Sequence, residues 1–479
     1  MVFKCIVNGN LIESKTGRVY EVRNPANTKE IVGRVPLLSG EEVEQAIVSA
    51  HRAFKEWSTT PPAKRAEIIK KGVEIARKKL EEIARLLTLE NGKTLKEAKE
   101  EVKASLDSIE YFAEGALRIL GETYPTNSEN RLSIVVKQPV GVVSAIVPWN
   151  YPLLLLAWKI GPALTTGCTV VAKPAHVTPL STLKMAECFL EAGLPAGVLN
   201  IVTGDAREIG KVLLTHPLIA KIAFTGSTNT GRMIMKEAAD TVKRLTLELG
   251  GNCPLVVFED ADLKEAVKGA VRRAFRNAGQ VCNAINRIYV HRSIYKDFLD
   301  LFLEETKKIR VGNGLREDVD MGPLTTEEGW KRVKEYVEEA VAKGAKILYG
   351  GKKPEGEEYE KGYFFEPTIL VDTDHSMKVV KEEVFGPTAP VMTFDTFDEA
   401  IEKANDTNYG LVAYVYTKDL GKALRASLLI ESGTVGVNNV SGGEYPYPYG
   451  GWKQSGFGVE NSHHVFDEYL NIKHIRIDF

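Results

Sequence analysis

From Val142 onward the chain repeats one unit, a short β-branched run followed by a helical pattern of roughly a dozen residues. The runs are VVSAIV, TVVAK, VLNIV and KIAFT. This is the alternation of right-handed crossovers in a parallel sheet, and it predicts a doubly wound α/β fold. After Gly250 a second set begins, with PLVVF, a helix opened by Asp262 and Glu265, RIYVH, PVMTF, VAYVYT and TVGVN, so a second α/β domain is expected. Before either set, Val43, Ala46, Ile47, Ala50, Phe54 and Trp57 recur at helical spacing behind a capping box of Ser39 and Glu42. Further helices are predicted from Pro62 to Glu90 and from Leu95 to Leu120, ended by Gly92 and Gly121. Two alternating segments fit neither set, Arg131 to Lys137 and Tyr469 to Phe479, and read as strands that pair away from the main sheets.

Composition narrows the partner. The 479 residues hold 62 Lys plus Arg against 64 Asp plus Glu, a formal charge of −2, so no long-range field recruits nucleic acid or an anionic membrane. A small molecule is the expected partner. The longest apolar stretch, Ile146 to Leu164, is interrupted by Asn150, Pro152, Lys159 and Pro162, and reads as buried rather than transmembrane. Cys5, Cys168, Cys188, Cys253 and Cys282 form an odd set without CxxC spacing, which argues against disulfides and against a thiolate metal site. With no readable signal peptide, a reducing, cytoplasmic setting is expected. Scarce glutamine beside abundant Lys and Glu hints at a thermophile.

Several motifs fall at strand ends, where such a fold places its ligands. KIAF runs into TGSTNTG, putting Gly226 and Gly231 at the mouth of a helix, where backbone N–H groups attract phosphate. The pattern is neither GxGxxG nor a Walker loop, since Arg232 and Met233 stand where Lys and Ser/Thr are required, and an ordinary strand-to-helix turn accounts for it equally well. In LTLELGG, Glu248 interrupts an apolar strand, either as a structural salt-bridge partner or as a carboxylate facing a cleft. Most single cysteines are inert packing, but Cys282, just past a helix ended by Gly279 and flanked by Gln280 and Asn283, reads as an exposed thiol able to ionise. In PWNYP, Asn150 caps the next helix or offers its amide to an oxyanion, and Lys173 faces the same crevice.

Together these pieces resemble the aldehyde dehydrogenase superfamily. The likeness runs from NPA at Asn24 through PWNYP, WKIGPAL, GCTVVAKP, FTGS, LELGG, FRNAGQVCNA and EEVFGP to YPYGGWKQSGFG, and is nearest the general and betaine-aldehyde branches. It implies a Rossmann-like cofactor domain (1–121 and 139–249), an α/β catalytic domain (250–446) and small β bridging segments (122–138 and 447–479) that join subunits into a homodimer or homotetramer. By the same resemblance Cys282 is the nucleophile, and the Asn150 amide with the Cys282 N–H holds the oxyanion. Glu248 is the general base for thioester hydrolysis, while Lys159 and Glu460 relay the proton. Acylation of coenzyme A is disfavoured by Glu248, a phosphorylating mechanism by the absence of a histidine near Cys282 in sequence, and a catalytically silent protein by the full residue set.

The resemblance also implies a dinucleotide along Ile146, Pro148 and Trp149, with Lys173 at the adenosine ribose and Ser227 at the pyrophosphate. Phe224, Gly226, Gly231 and Leu249 complete the crevice, and Glu383 meets the nicotinamide ribose beside Phe385. Where NAD-preferring relatives carry a glutamate three residues after that lysine, this chain has His176. NADP is therefore expected, preferred or alongside NAD, with a partly protonated His176 and Arg207 drawing the 2′-phosphate. Trp158 stands where one succinate-semialdehyde branch has arginine. With Tyr449, and with Tyr445, Tyr447 and Trp452 crowding the same loop, it predicts a tunnel for neutral aliphatic, aromatic or small hydroxy-aldehydes. Glyceraldehyde 3-phosphate and a semialdehyde are the alternatives.

Overall fold

The computed structural model describes residues 2–479. Its first sheet has eight strands in the order Asn10–Ile12, Cys5–Val7, Leu199–Ile201, Thr169–Lys173, Val142–Ile146, Ile219–Thr225, Arg244–Glu248 and Gly456–Phe457. The five strands from Leu199–Ile201 to Arg244–Glu248 are parallel, as the repeated strand and helix unit requires. The chain steps outward from Val142–Ile146 to Leu199–Ile201, then returns to the other side of Val142–Ile146 as Ile219–Thr225. That reversal opens a crevice at the carboxyl ends of neighbouring strands. Ile146, Lys173 and Phe224 stand there in register.

The second sheet runs Lys346–Tyr349, Thr368–Val371, Thr388–Phe394, Ile285–His291, Cys253–Val257, Val412–Tyr416 and Thr434–Val437. All its pairs are parallel except the first. The two segments left over by both sets find each other. Arg131–Pro139 pairs antiparallel with Leu470–Asp478, from Leu470 opposite Pro139 to Asp478 opposite Arg131, and Glu122–Tyr124 adds a third strand. Within 447–479, Gly456–Phe457 instead closes an edge of the first sheet, and Trp452–Lys453 pairs with Tyr409–Gly410.

The helices follow the apolar spacing with two changes. Ser39 and Glu42 form the full capping box of helix Gly40–Trp57. The expected helix from Pro62 to Glu90 is two, Pro62–Lys78 and Leu80–Asn91, broken at Lys79 so that Ile69 and Val73 on one and Ile83 and Leu87 on the other all reach the core. Helix Leu95–Gly115 ends before Gly121, which is packed against the Val135 carbonyl of the small sheet. Helix Pro152–Thr166 is buried on nearly every side and crosses Leu95–Gly115 where Gly161 meets Phe112; a β-carbon there would lie 2.6 Å from the ring. Its apolar sequence is core. Among the described residues no helix is long and apolar enough to cross a membrane.

Candidate active site

Cys282 is delivered by an unusual piece of backbone. Helix Leu263–Phe275 stops four residues before Gly279, the terminator expected from sequence, because Asn277, Ala278 and Gly279 take φ values of 49°, 53° and 70° in succession. Two of these are not glycine, so the turn is strained and must be held from outside. Glu97 Oε1 accepts the Asn277 N–H at 2.8 Å, Gln280 Nε2 donates to the Asn277 carbonyl at 2.9 Å, and the Thr325 N–H donates to Gln280 Oε1 at 2.9 Å. The polar residues that suggested an open turn therefore spend their hydrogen bonds inside the protein. Burial pushes the Cys282 thiol up to about 12, so the expected ready ionisation is not seen, and the nearest side-chain partner is Tyr449 Oη at 3.5 Å. The other four cysteines are buried.

Asn150 is not a helix cap: the cap position of Pro152–Thr166 is Tyr151, and no side chain caps it. Its Nδ2 donates to the Gln280 carbonyl at 3.1 Å, two residues before Cys282, and its own carbonyl accepts from Asn277 Nδ2 at 3.1 Å. This exchange ties the strand-end amide to the cysteine turn.

Glu248 closes strand Arg244–Glu248, and both its carboxylate oxygens are buried without a partner among the described residues. No salt bridge explains it. Burial first, and then the nearby Glu460, raise its pKa well above the usual carboxylate range, opposed by Lys159. The following glycines allow a close approach that side chains would forbid. A β-carbon on Gly251 would lie 2.1 Å from the Cys282 carbonyl oxygen, and one on Gly250 2.5 Å from Glu383 Oε2. Lys159 and Glu460, both fully buried, form an ion pair, and Lys159 donates to Thr225 Oγ1 at 2.8 Å.

Two cavities lie along the crevice. One of about 180 Å³ brings Cys282 and Asn150 together with Pro148, Trp149, Gly226, Ser227 and Leu249, and Glu383 and Phe385 line it as well. Trp149 and Phe385 meet edge to face at 5.5 Å. Ser227 caps helix Thr228–Ala238, and Gly231 lies in that helix's first turns. Glu383 accepts the Gly251 N–H at 3.0 Å, and burial raises its pKa to about 7. The second cavity, about 560 Å³, is lined by Ile146, Lys173, Arg207 and Phe224. Apolar walls with a buried cation at one end, a helix N-terminus between, and a carboxylate at the other end fit an extended dinucleotide.

His176 does not line the cavity of Lys173 and Arg207, although the Lys173 ammonium is near enough to act on it. It lines a neighbouring cavity of about 500 Å³, edge-on to Tyr20 at 5.0 Å, and shares only Trp149 and Arg332 with the Cys282 cavity through that space. Desolvation, and then the Lys173 ammonium, lower its pKa, which works against the partly protonated ring expected from sequence. Trp158 and Tyr449 are both buried and meet at 5.3 Å. Tyr447 and Trp452 turn out to solvent instead of walling a tunnel, and Tyr445 packs on Tyr111 at 5.3 Å. Sequence reading missed Arg332, which lines the Cys282 cavity and donates to the Val384 carbonyl at 3.0 Å, and Lys93, buried behind Asn150. In a chain rich in Lys and Arg neither stood out.

Fold and site define an enzyme with a half-buried thiol, a buried carboxylate and a dinucleotide crevice. The sequence model of the aldehyde dehydrogenase family matches residues 11–475. The chain is 44% identical over 471 residues to a mitochondrial succinate-semialdehyde dehydrogenase of Oryza sativa subsp. japonica, covering 98% of this chain and 88% of that one. It is 43% identical over 474 residues to the NADP(+) succinate-semialdehyde dehydrogenase GabD of Escherichia coli, covering 99% and 97%. Among solved structures, betaine aldehyde dehydrogenase of Staphylococcus aureus in complex with NAD+ superimposes with a TM-score of 0.97 at 40% identity, covering 99% of this chain and 95% of that one. The chain belongs to the aldehyde dehydrogenase family. It is an NAD(P)-dependent enzyme that oxidises an aldehyde to its carboxylic acid.

Proposed function

We propose that Cys282 gives its proton to water in the cavity and that the resulting thiolate Sγ attacks the aldehyde carbon while the Asn150 amide and the Cys282 N–H receive the oxyanion. Bound NAD(P)+ supplies the acceptor for the hydride that leaves this carbon as the thioester forms. In the second half, water adds to the acyl carbon, Glu248 takes its proton, and the C–S bond breaks to return the thiolate. Lys159 and Glu460 carry the proton onward. The unpartnered Glu248 carries this reading, because a buried carboxylate without a hydrogen bond costs stability, and groups kept at such a cost cluster at functional sites.

The substrate we infer is a small neutral or hydroxylated aldehyde. Tyr449, beside Cys282, packs against Trp158, and the only cation lining the Cys282 cavity among the described residues is Arg332. A second reading is an aldehyde with a distal carboxylate. It is favoured by the relatives' names and by Arg276, whose guanidinium donates to Tyr151 Oη at 3.1 Å just before the cysteine turn. NADP is used, preferred or alongside NAD, since Lys173 and Arg207 line one cavity and no carboxylate occupies position 176. The subunits form a homodimer or homotetramer in a reducing cytoplasm. Exposed Leu420, Leu424 and Leu428, on one face of helix Leu420–Leu429, and Ile472 on the outer strand are the surfaces such an assembly covers. A panel of aldehydes assayed with each cofactor tests these readings. Succinate semialdehyde exceeding every neutral aldehyde in kcat/KM would overturn the first substrate reading in favour of the second.

A further inference from the structure

Trp149 and Asn150 have their backbone carbonyls gripped from behind by a single short segment. Asn91 Nδ2 donates to the Trp149 carbonyl at 2.9 Å. Two residues on, Lys93 Nζ donates to the Asn150 carbonyl at 2.7 Å. Lys93 is fully buried, sits over the Tyr151 ring at 3.8 Å, and is paired with fully buried Glu101 at 2.5 Å. The other Glu101 oxygen accepts the Leu153 and Leu154 N–H groups at 3.0 and 3.4 Å, in the first turn of helix Pro152–Thr166. One ion pair thus holds the segment before the helix by its carbonyl and the helix start by its N–H groups. Burying two full charges is expensive, and an apolar pair would fill the same space at similar or better stability. What an apolar pair lacks is directional hold on a peptide group.

We propose that Lys93 is a positioning residue that fixes the direction of the Asn150 amide for the oxyanion. This rests on the reading of Asn150 and Cys282 given above. Asn150 has one amide hydrogen on the Gln280 carbonyl, so the direction of the other follows from how its peptide is seated. That seat consists of two donors on the Asn150 carbonyl, Lys93 Nζ and Asn277 Nδ2. Removing Lys93 leaves the weaker, neutral donor alone and lets the peptide rotate. The amide then meets the developing oxyanion off axis.

The test compares two reactions of the same thiol in the full-length protein. One is the NAD(P)H burst with propanal, which forms an oxyanion. The other is alkylation of Cys282 by iodoacetamide, which forms the C–S bond with loss of iodide and no oxyanion. Lys93→Met strands Glu101, so Lys93→Met with Glu101→Gln, which buries no unpaired charge, is measured beside it. In both variants the burst rate falls by about tenfold, short of the roughly 10²–10³-fold cost of losing an oxyanion donor outright. Alkylation, which needs no oxyanion donor, stays within about twofold of the parent. In an Asn150→Ala background, Lys93→Met has no further effect, since it acts through that amide. A burst unchanged in the double variant, a parallel loss of alkylation, or an additional loss in the Asn150→Ala background overturns the proposal. A burst unaffected by Asn150→Ala itself overturns the reading of Asn150, and the proposal falls with it for that separate reason.

Discussion

Lys159 and Glu460 form a buried ion pair in which only one Glu460 oxygen is engaged; the other, like both oxygens of Glu248, has no partner among the described residues. Glu460 raises the pKa of Glu248 and Lys159 lowers it. Glu460→Gln removes the repulsion and keeps the cation, so Glu248 loses its proton at lower pH. The ascending limb of the kcat profile moves to lower pH in a steady-state titration where deacylation limits turnover. A limb that moves upward means that another group controls it.

Cys282→Ala abolishes NAD(P)H formation with every aldehyde. Glu248→Gln keeps the burst but slows the steady state by about 10²–10⁴-fold, the span of a lost general base. Stopped-flow absorbance in the reduced-nicotinamide band separates the phases. Loss of the burst in Glu248→Gln assigns that residue to thiol activation rather than to water.

The cofactor reading turns on position 176. His176→Glu places a carboxylate near Lys173 and repels a 2′-phosphate, lowering kcat/KM for NADP relative to NAD by about tenfold, or ~1.4 kcal/mol. Equal ratios in parent and variant show that the 2′-phosphate is bound away from this residue.

Glu383 has its pKa raised from 4.5 to about 7, by burial first. The folded state holds this proton more tightly than the unfolded chain does. Its contribution to stability is therefore present below about 4.5 and is lost as pH rises to about 7. On the proposal that Glu383 accepts hydrogen bonds from the nicotinamide ribose, the ionised form is the better acceptor and cofactor affinity strengthens across the same window. Fluorescence titration of NADP at pH 6 and pH 8 reads the change, and Glu383→Gln flattens it.

Removing residues after Tyr469 takes away strand Leu470–Asp478 and leaves Arg131–Pro139 with an open edge. Light scattering then finds monomers or aggregates. An unaltered oligomer shows that assembly rests on helix Leu420–Leu429 instead.

How much of the molecule is legible in its sequence depends on whether the signal is local. The parallel sheets, the capping box at Ser39 and the crevice at Ile146, Lys173 and Phe224 follow from periodicity and strand order. The strained turn at Asn277 and Ala278 is not legible, because neither residue advertises a left-handed backbone and the hydrogen bonds that hold it come from Glu97 and Thr325, distant in sequence. Lys93 is hidden for a related reason: its burial depends on partners at Glu101 and Asn150. Tyr447 and Trp452 mislead because aromatic crowding in a loop says nothing about which way each ring faces.

The contact of Gly251 with the Cys282 carbonyl joins the end of one sheet's last parallel strand to the turn beside the other sheet. Neither half of the molecule therefore owns the reaction centre. A change that shifts one sheet against the other therefore alters the geometry around Cys282 without touching a residue that reacts.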